Sequence, residues 1–367
     1  MRTPNAKREM HHAGCRTPKA SSVKSGVSSL ECGTERMLEL VLSLPEQVEQ
    51  AAVNACGASI GPSRRFDSVA VAGMGGSGIG ARIVQGLLLD ECRVPVYVCN
   101  DYDIPAAVSA KTLFVAVSYS GNTEETLSAY AQARKRGCRI VAITSGGELG
   151  HSAAEAGYPV IAVPGGMPPR AALGHLFSTL LVCLERLNVC ESHQRELEEA
   201  VQLMRGKRKS WLGRARTIAK HIDDRLPMVY STSRMLDPVA DRWRCQINEN
   251  AGVLCHTNSF PEHNHNEIVG MGRPRYPGRN VVVIALLDRG THPRTRCRLE
   301  SVLDIAEEAY YLAIQLESDG RSRLARVFSL VMLGDLVSVE LARLAGKDAM
   351  EINRIDELKR RMAQKRG

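Results

Sequence analysis

Three hydroxyl side chains, at Ser118, Ser120 and Thr123, surround Gly121 between an apolar run and an amphipathic stretch. At the start of a helix, hydroxyls and backbone N–H groups can donate hydrogen bonds to a phosphate without adding formal charge. The segment has no lysine. Loops that transfer phosphoryl groups generally use a lysine to contact the migrating phosphoryl group. The spacing therefore predicts a loop that grips a spectator phosphate. The alternative is an elaborate helix N-cap.

A glycine-rich turn at residues 73–80 follows another apolar run and carries Gly76 and Ser77. Bare backbone N–H groups at the end of a parallel strand form a second candidate anion site. The glycine spacing also fits a dinucleotide fingerprint, but the first acidic residue that could bind a ribose comes only at Asp101. Tight-turn formation without ligand binding is the alternative.

A carboxylate and an imidazole follow in the second half of the chain. Glu249 lies between two asparagines on a predicted helix whose apolar flank could partly bury it, which suits a general base. An exposed helical glutamate is the alternative. His265, in a polar loop, can move protons near neutral pH, and His256 and His263 are its rivals. Three histidines could bind a metal. However, the His263 and His265 pair lies in a loop without a convincing third ligand or partners that would orient the rings, and we expect no metal there.

These residues need a framework of parallel strands. Between residues 66 and 166, Val/Ile/Ala-rich runs alternate with helical segments, and the same order returns after residue 226. This pattern predicts an α/β protein with two doubly wound subdomains, whose mainly parallel sheets are covered by helices. The strands are expected at 68–72, 94–99, 112–117, 139–144, 159–163, 228–231, 281–287 and 311–316. We place the first subdomain at residues 34–222 and the second at 223–367.

Composition limits the remaining possibilities. The 367 residues are 44% hydrophobic and 24% charged, which is ordinary for a globular chain, and no apolar run approaches the length of a membrane span. Half of the net charge of +8 lies in residues 1–33, which predict a disordered basic tail. Without a recognisable nucleic-acid reader module, the charge predicts solvation, with no nucleic-acid or membrane partner. The eleven cysteines lack a Cys-x-x-Cys pair, and we expect reduced thiols in the cytoplasm.

Several motifs together resemble one family. The serine and threonine loop, Ser118-x-Ser120-Gly121-x-Thr123-x-Glu125, is similar to the phosphosugar signature of SIS (sugar isomerase) domains. Four more motifs stand in the order found in the bifunctional phosphoglucose/phosphomannose isomerases. They are Gly75-Gly76-Ser77-Gly78, Pro169-Arg170-Ala171-Ala172-Leu173-Gly174, Asn248-Glu249-Asn250-Ala251 and Phe260-Pro261-Glu262-x-x-His265-Asn266-Glu267. The resemblance covers residues 35–367.

This resemblance implies interconversion of glucose 6-phosphate and fructose 6-phosphate, and also of mannose 6-phosphate, through a cis-enediol without a cofactor. It implies Glu249 as the base between C1 and C2, Arg170 facing the enediolate, and His265 and Lys359 in ring opening. His265 would come from the partner subunit of a homodimer. Such an enzyme belongs to glycolysis and gluconeogenesis.

The resemblance also implies that five residues hold the 6-phosphate: Gly76, Ser77, Ser118, Ser120 and Thr123. Each catalytic residue has a simpler alternative. Arg170 could cap or pair with the next helix, and Lys359 could lie on a solvated helix face. Glu262 and Glu267 are the rival carboxylates.

The chain departs from the family pattern at three places. Gly252 stands where a lysine usually follows the Asn-Glu-Asn-Ala motif, Ser231-Thr232-Ser233-Arg234 replaces a glycine turn, and Ala349-Met350-Glu351 replaces a Pro-Thr-Pro stretch. These departures make mannose 6-phosphate activity the weaker expectation. A non-catalytic phosphosugar sensor and an isomerase of another sugar phosphate are the rival functions.

Overall fold

The structure is a computed structural model that describes residues 26–273 and 280–364, with side chains from residue 32 onward. Residues 1–25 of the expected tail lie outside the described residues, and residues 26–33 belong to the first helix. The helices are α1 (Gly26–Leu42), α2 (Leu44–Gly57), α3 (Gly75–Leu88), α4 (Glu124–Lys135), α5 (Gly147–Glu155), α6 (Leu173–Arg186), α7 (Gln194–Ile222), α8 (Asp237–Gln246), α9 (Glu267–Gly270), α10 (Pro293–Ile305), α11 (Arg323–Leu344) and α12 (Asn353–Gln364).

The strands form two separate parallel sheets. They are β1 (Ser68–Ala72), β2 (Val96–Cys99), β3 (Thr112–Val117), β4 (Arg139–Thr144), β5 (Val160–Ala162), β6 (Leu226–Ser231), β7 (His256–Ser259), β8 (Val281–Leu287) and β9 (Leu312–Glu317). The first sheet has the order β2-β1-β3-β4-β5 and the second has the order β7-β6-β8-β9. Every pairing within them is parallel. The predicted fold class is confirmed.

Helices bury the faces of both sheets. The central strands β1 and β3 are buried at every position, as their unbroken Val/Ala/Leu sequences require. The long helix α7 packs along α11, and α11 is buried continuously from Leu324 to Ala342. A single hydrophobic cluster runs from Met37 to Ala349 through both halves of the chain. Residues of the two sheets are therefore held against one another by a shared core.

The first sheet changes its winding direction between β1 and β3. These strands are neighbours, but the chain leaves β1 toward β2 on one side and leaves β3 toward β4 on the other. Such a switch point opens a crevice at the carboxyl ends of the strands, where open α/β sheets bind ligands. The turn at residues 73–77 and the hydroxyl loop at 118–123 both start there.

The second sheet has the same kind of switch point between β6 and β8, but its own side chains occupy the crevice. Thr232 Oγ1 donates to the Leu286 carbonyl and lies 2.8 Å from Thr291 Oγ1. The buried Asp288 pairs with Arg326 at 2.6 Å. The Ser231-Thr232-Ser233-Arg234 sequence, which departs from the family pattern, thus lies at a crevice that contains the Asp288 carboxylate. A bound phosphate would need hydrogen-bond donors there.

Two features differ from the sequence prediction. The strand β7 was not predicted because its sequence, His-Thr-Asn-Ser, is polar; it is an edge strand that pairs only with β6. The predicted helix that carries Glu249 ends as a π-helix at Ile247–Ala251. Among the described residues, no helix combines the length and hydrophobicity needed to cross a membrane.

Candidate active site

The hydroxyl loop is ordered by its own hydrogen bonds. Ser118 is buried, its Oγ lies 3.0 Å from Thr123 Oγ1, and it accepts the backbone N–H of Gly121 at 3.1 Å. Ser120 is exposed and accepts the Asn122 N–H at 3.3 Å. Gly121 has a φ of +72°, in the left-handed region that favours glycine.

Thr123 occupies the N-cap position of α4 but makes no side-chain capping hydrogen bond. The first N–H groups of α4 are therefore not satisfied by this hydroxyl, in contrast to the N-cap alternative. Hydroxyls and a helix N-terminus together make a suitable anion site.

The glycine-rich turn lies between this loop and the turn that carries Arg170. Ser77 Oγ accepts the backbone N–H of Tyr119 at 3.2 Å, which places the start of α3 beside the hydroxyl loop. On its other side, α3 touches the 3₁₀ turn Pro169–Ala171. A Cβ at Gly76 would lie 2.5 Å from the Pro169 carbonyl oxygen, so only glycine fits this contact. Gly76 therefore allows the turn that carries Arg170 to pack closely against the start of α3.

Arg170 is 4% exposed and has three partners. Its Nε donates to Asn250 Oδ1 and its Nη2 donates to the Ala349 carbonyl, each at 2.7 Å. Its Nη1 lies 3.8 Å from Glu249 Oε2. Burial lowers the pKa of Arg170, and the charge of Glu249 opposes that shift. Because hydrogen bonds hold the Nε and Nη2 atoms of this guanidinium, its remaining N–H groups can point toward the Glu249 carboxylate and toward a ligand.

Glu249 lies in the π-helix, a form found frequently at functional sites. Its side chain is 28% exposed and lines a cleft of about 610 Å³, which Lys347 also lines. Lys347 Nζ donates to the backbone carbonyl of Glu249 at 3.0 Å. It also occupies the space beside Gly252, the position where the family pattern has a lysine. An ammonium from another segment therefore stands close to the motif.

A buried ion pair supports this arrangement from behind. Arg242 donates to both carboxylate oxygens of Asp335, at 2.9 and 2.7 Å, and to the Arg170 carbonyl at 3.0 Å. Asn250, which accepts from Arg170, donates to Ser338 Oγ at 2.9 Å. These bonds fix both Arg170 and the π-helix to α11, so the Arg170–Glu249 contact has little freedom.

The histidine loop forms a separate group. His265 is exposed and makes no hydrogen bond or ion pair among the described residues. His263 is fully buried, stacks on Phe260, and burial lowers its pKa. His256 pairs with Glu267 at 2.9 Å. Of the three histidines, His265 is therefore the one whose ring is free to reach a ligand.

Glu267 organises this loop. It accepts hydrogen bonds from Tyr230 and Asn258, each at 2.6 Å, and contacts His256. Burial alone would raise the pKa of Glu267, but these hydrogen bonds lower it to about 2. Because its lone pairs are occupied, Glu267 is a positioning group and a poor rival to Glu249 as a base.

Lys359 lies on α12 and is exposed, with no hydrogen bond or ion pair in the described part of the chain. The structure thus brings together Gly76, Ser77, the hydroxyl loop, Arg170 and Glu249 through direct contacts. No hydrogen bond or ion pair among the described residues joins His265 or Lys359 to them.

Three further residues of this arrangement, Lys347, Arg242 and Asp335, lie outside the sequence motifs. Asp335 had a detectable signal, because a carboxylate within the apolar stretch of α11 needs a buried partner. Lys347 had none: it follows a helix end, and only the fold places it beside Glu249.

Comparisons with known proteins agree with this architecture. Residues 65–157 match the SIS domain family, and residues 213–362 match the bacterial phospho-glucose isomerase C-terminal SIS domain. The C-terminal domain of glucosamine-fructose-6-phosphate aminotransferase from Francisella tularensis has the same fold, with a TM-score of 0.68 at 16% identity over 86% of this chain and 98% of that one. The chain is therefore a two-sheet SIS protein.

Sequence relatives define the family. A bifunctional phosphoglucose/phosphomannose isomerase of Caldicellulosiruptor bescii is 39% identical over 89% of this chain and 99% of its own length. Another, from Thermoplasma acidophilum, is 37% identical over 81% of this chain and 90% of its own length. The chain belongs to the bifunctional phosphoglucose/phosphomannose isomerase family.

Proposed function

We propose that this protein is an aldose–ketose isomerase that interconverts glucose 6-phosphate, mannose 6-phosphate and fructose 6-phosphate. The observation that carries the proposal is the contact between Arg170 and Glu249 beside a hydroxyl loop suited to a phosphate. The loop holds one end of the substrate, and the carboxylate works at the other. A cytoplasmic location and the lack of nucleic-acid or membrane partners stay predictions from sequence.

The chemistry needs one proton to move between neighbouring carbons. Glu249 removes a proton from C2 of the aldose and returns it to C1, and the reverse reaction uses the same carboxylate. Arg170 lies 3.8 Å from that carboxylate and stabilises the negative charge that develops on the enediolate oxygen. Proton removal from glucose 6-phosphate and from mannose 6-phosphate leads to the same enediol, so one site serves both epimers.

Ring opening requires an acid and a base beyond Glu249. We assign these roles to His265, supplied by the partner subunit of a homodimer, and to Lys359. Both side chains are exposed, as groups that complete a site across an interface would be in one isolated chain. Large apolar side chains are also exposed close to each candidate in the sequence: Val269, four residues after His265, by 86%, and Leu358, next to Lys359 on α12, by 59%. Such exposure supports an interface.

A coupled assay with each sugar phosphate tests the function. We expect turnover of both glucose 6-phosphate and mannose 6-phosphate, and Glu249→Gln should lower kcat by about 10²–10⁴-fold because the general base is lost. Glu300→Gln, at an exposed carboxylate of α10, serves as the control and should keep the wild-type rate.

Three results would contradict the proposal, each in a different part. Binding of sugar phosphates without turnover would identify a phosphosugar sensor. Full activity of a correctly folded Glu249→Gln variant would show that another group moves the proton. Turnover of a pentose phosphate in place of the hexose phosphates would keep the mechanism and change the substrate.

A further inference from the structure

Three potential metal ligands converge away from the candidate active site. Glu91 follows the end of α3, whereas Cys190 and His193 lie in the connection between α6 and α7. Their ligand atoms all lie within 4.8 Å of one another. Across residues 26–273 and 280–364, no other group of three or more His, Cys, Asp or Glu side chains has this geometry.

The orientation of the histidine is the second observation. The ring of His193 is 5% exposed; its Nε2 lies 3.0 Å from Glu91 Oε2 and its Nδ1 lies 3.1 Å from Glu185 Oε1. Glu185 Oε1 also accepts the His193 backbone N–H at 2.9 Å. Histidines that bind metals through one ring nitrogen usually donate the other N–H to a carboxylate. Glu185 therefore holds the ring with Nε2 directed at Glu91.

We propose that Glu91, Cys190 and His193 bind a zinc ion, with Glu185 orienting the histidine. A thiolate, an imidazole and a carboxylate are the three ligand types that Zn²⁺ takes in proteins, usually in tetrahedral geometry. A cysteine ligand disfavours Mg²⁺ and Ca²⁺, which select oxygen. The fourth position is open to a water molecule.

The carboxylates of the cluster suit a divalent cation. Glu91 and Glu185 both lie within hydrogen-bond distance of the His193 ring, so two acidic side chains meet at one buried imidazole. Zinc would bind Cys190 as the thiolate and His193 as the neutral imidazole, and binding therefore releases the thiol proton.

The position of the site indicates a stabilising role. It would connect the end of α3 to the segment between α6 and α7, while the start of α3 carries Ser77 beside the hydroxyl loop. Zinc would therefore anchor the helix that shapes the phosphate site and take no part in proton transfer. The proposal does not depend on the isomerase assignment.

The test uses the full chain, purified with a reductant, loaded with zinc and freed of excess metal. We expect one zinc per chain by elemental analysis. Substitution with cobalt should give a thiolate charge-transfer band in the near ultraviolet, with d–d absorption strong enough to indicate tetrahedral geometry. Zinc at a hundredfold excess over its Kd should raise Tm by about 3–5 °C in a chain of this length.

Variants locate the metal. Cys190→Ser should abolish the cobalt charge-transfer band, and Glu185→Gln should weaken zinc binding about 10–100-fold because it acts through His193. Cys56→Ser, at an exposed cysteine of α2, is the matched control and should keep both zinc and the band.

The tail needs its own control because His11 and His12 could bind metal. A His11→Gln/His12→Gln double variant should keep its zinc. Loss of zinc from that variant would overturn the proposal, as would zinc retained in Cys190→Ser or a wild-type cobalt spectrum without thiolate absorption. Because the wild-type spectrum needs no variant, a missing thiolate band contradicts the proposal even if a variant fails to fold.

Discussion

Arg170 is held by acceptors from different segments, and its function depends on the shape of its guanidinium. The side chain contacts Asn250, Ala349 and Glu249 at once. A lysine has one ammonium and cannot reproduce this fork. Arg170→Lys should lower kcat/KM by about 10²–10³-fold, mainly through kcat, because charge stabilisation in the transition state is lost.

Steady-state kinetics and thermal unfolding of the same Arg170→Lys preparation check this prediction. A change in KM alone, with kcat unchanged, would mean that Arg170 binds substrate and does not stabilise the enediolate.

The hydroxyl loop should affect binding more than chemistry. Ser118 and Thr123 contact each other, and no hydrogen bond or ion pair among the described residues joins them to the Arg170–Glu249 pair. Ser118→Ala should therefore raise KM for each sugar phosphate by about tenfold with a small effect on kcat, because one hydrogen bond to a charged group is lost. Ser301→Ala, on α10, is the control. Equal losses in kcat and kcat/KM would place Ser118 in the reaction step.

Glu267 and His256 give the histidine loop a dependence on pH. Hydrogen bonding and charge from Glu267 raise the pKa of His256. A group whose pKa is raised on folding stabilises the fold below its ordinary pKa, and this stability is lost as pH rises through the raised value. His256→Gln should therefore lower the free energy of unfolding near pH 5.5, by less than about 1 kcal/mol because the ring is half exposed. Near pH 9 the decrease should be much smaller. Thermal unfolding at both pH values measures the difference as a shift in Tm.

His151→Gln, at an exposed histidine of α5, serves as the reference for the pH dependence. A larger destabilisation of His256→Gln at the higher pH would show that the pairing with Glu267 does not stabilise the loop.

At the level of single residues, sequence could identify side chains that act within short motifs. Ser118, Thr123, Arg170 and Glu249 stand in such motifs, and their contacts agree with the predicted grouping. The ammonium of Lys347 could not be located, because its distance from Glu249 is set by the packing of α11 and not by any local pattern.

Among the elements, the start of α3 is the most constrained. A side chain at Gly76 would meet the Pro169 carbonyl, a backbone atom that cannot rotate away. Gly76→Ala should cost about 1–3 kcal/mol of stability and reduce activity, since the turn that carries Arg170 must shift.

Gly206→Ala is the matched control for Gly76→Ala, because a Cβ at this α7 position has open space. It should be neutral or stabilise by about 0.5–1 kcal/mol, as alanine favours a helix. Denaturant unfolding of both variants separates the two effects. Equal stability of the two variants would contradict the proposed close contact.

The strand predictions were correct where a strand is buried on both faces. The strands β1, β3, β4 and β8 have the predicted bounds, since strands covered on both faces need continuous apolar residues. The edge strand β7 lacks that pattern because it carries polar side chains. The π-helix is set by tertiary bonds from Asn250 to Arg170 and Ser338, which no local propensity encodes.

In the whole molecule, the candidate site joins residues from both halves of the chain, and we propose that a second subunit completes it. Glu249 and Arg170 come from different halves and meet, whereas His265 is exposed and unpaired among the described residues. If His265 crosses a homodimer interface, each site uses Glu249 of one subunit and His265 of the other. A heterodimer of Glu249→Gln and His265→Asn subunits would then contain one intact site and one doubly altered site.

Mixing the two inactive variants tests this arrangement. After random subunit exchange at equal concentrations, half of the dimers are heterodimers with one native site of two, so about a quarter of wild-type activity should return. Light scattering must show a dimer throughout, and a mixture kept below the dimer dissociation constant should stay inactive. If each site instead uses both residues from the same chain, the heterodimer has two damaged sites and mixing recovers nothing.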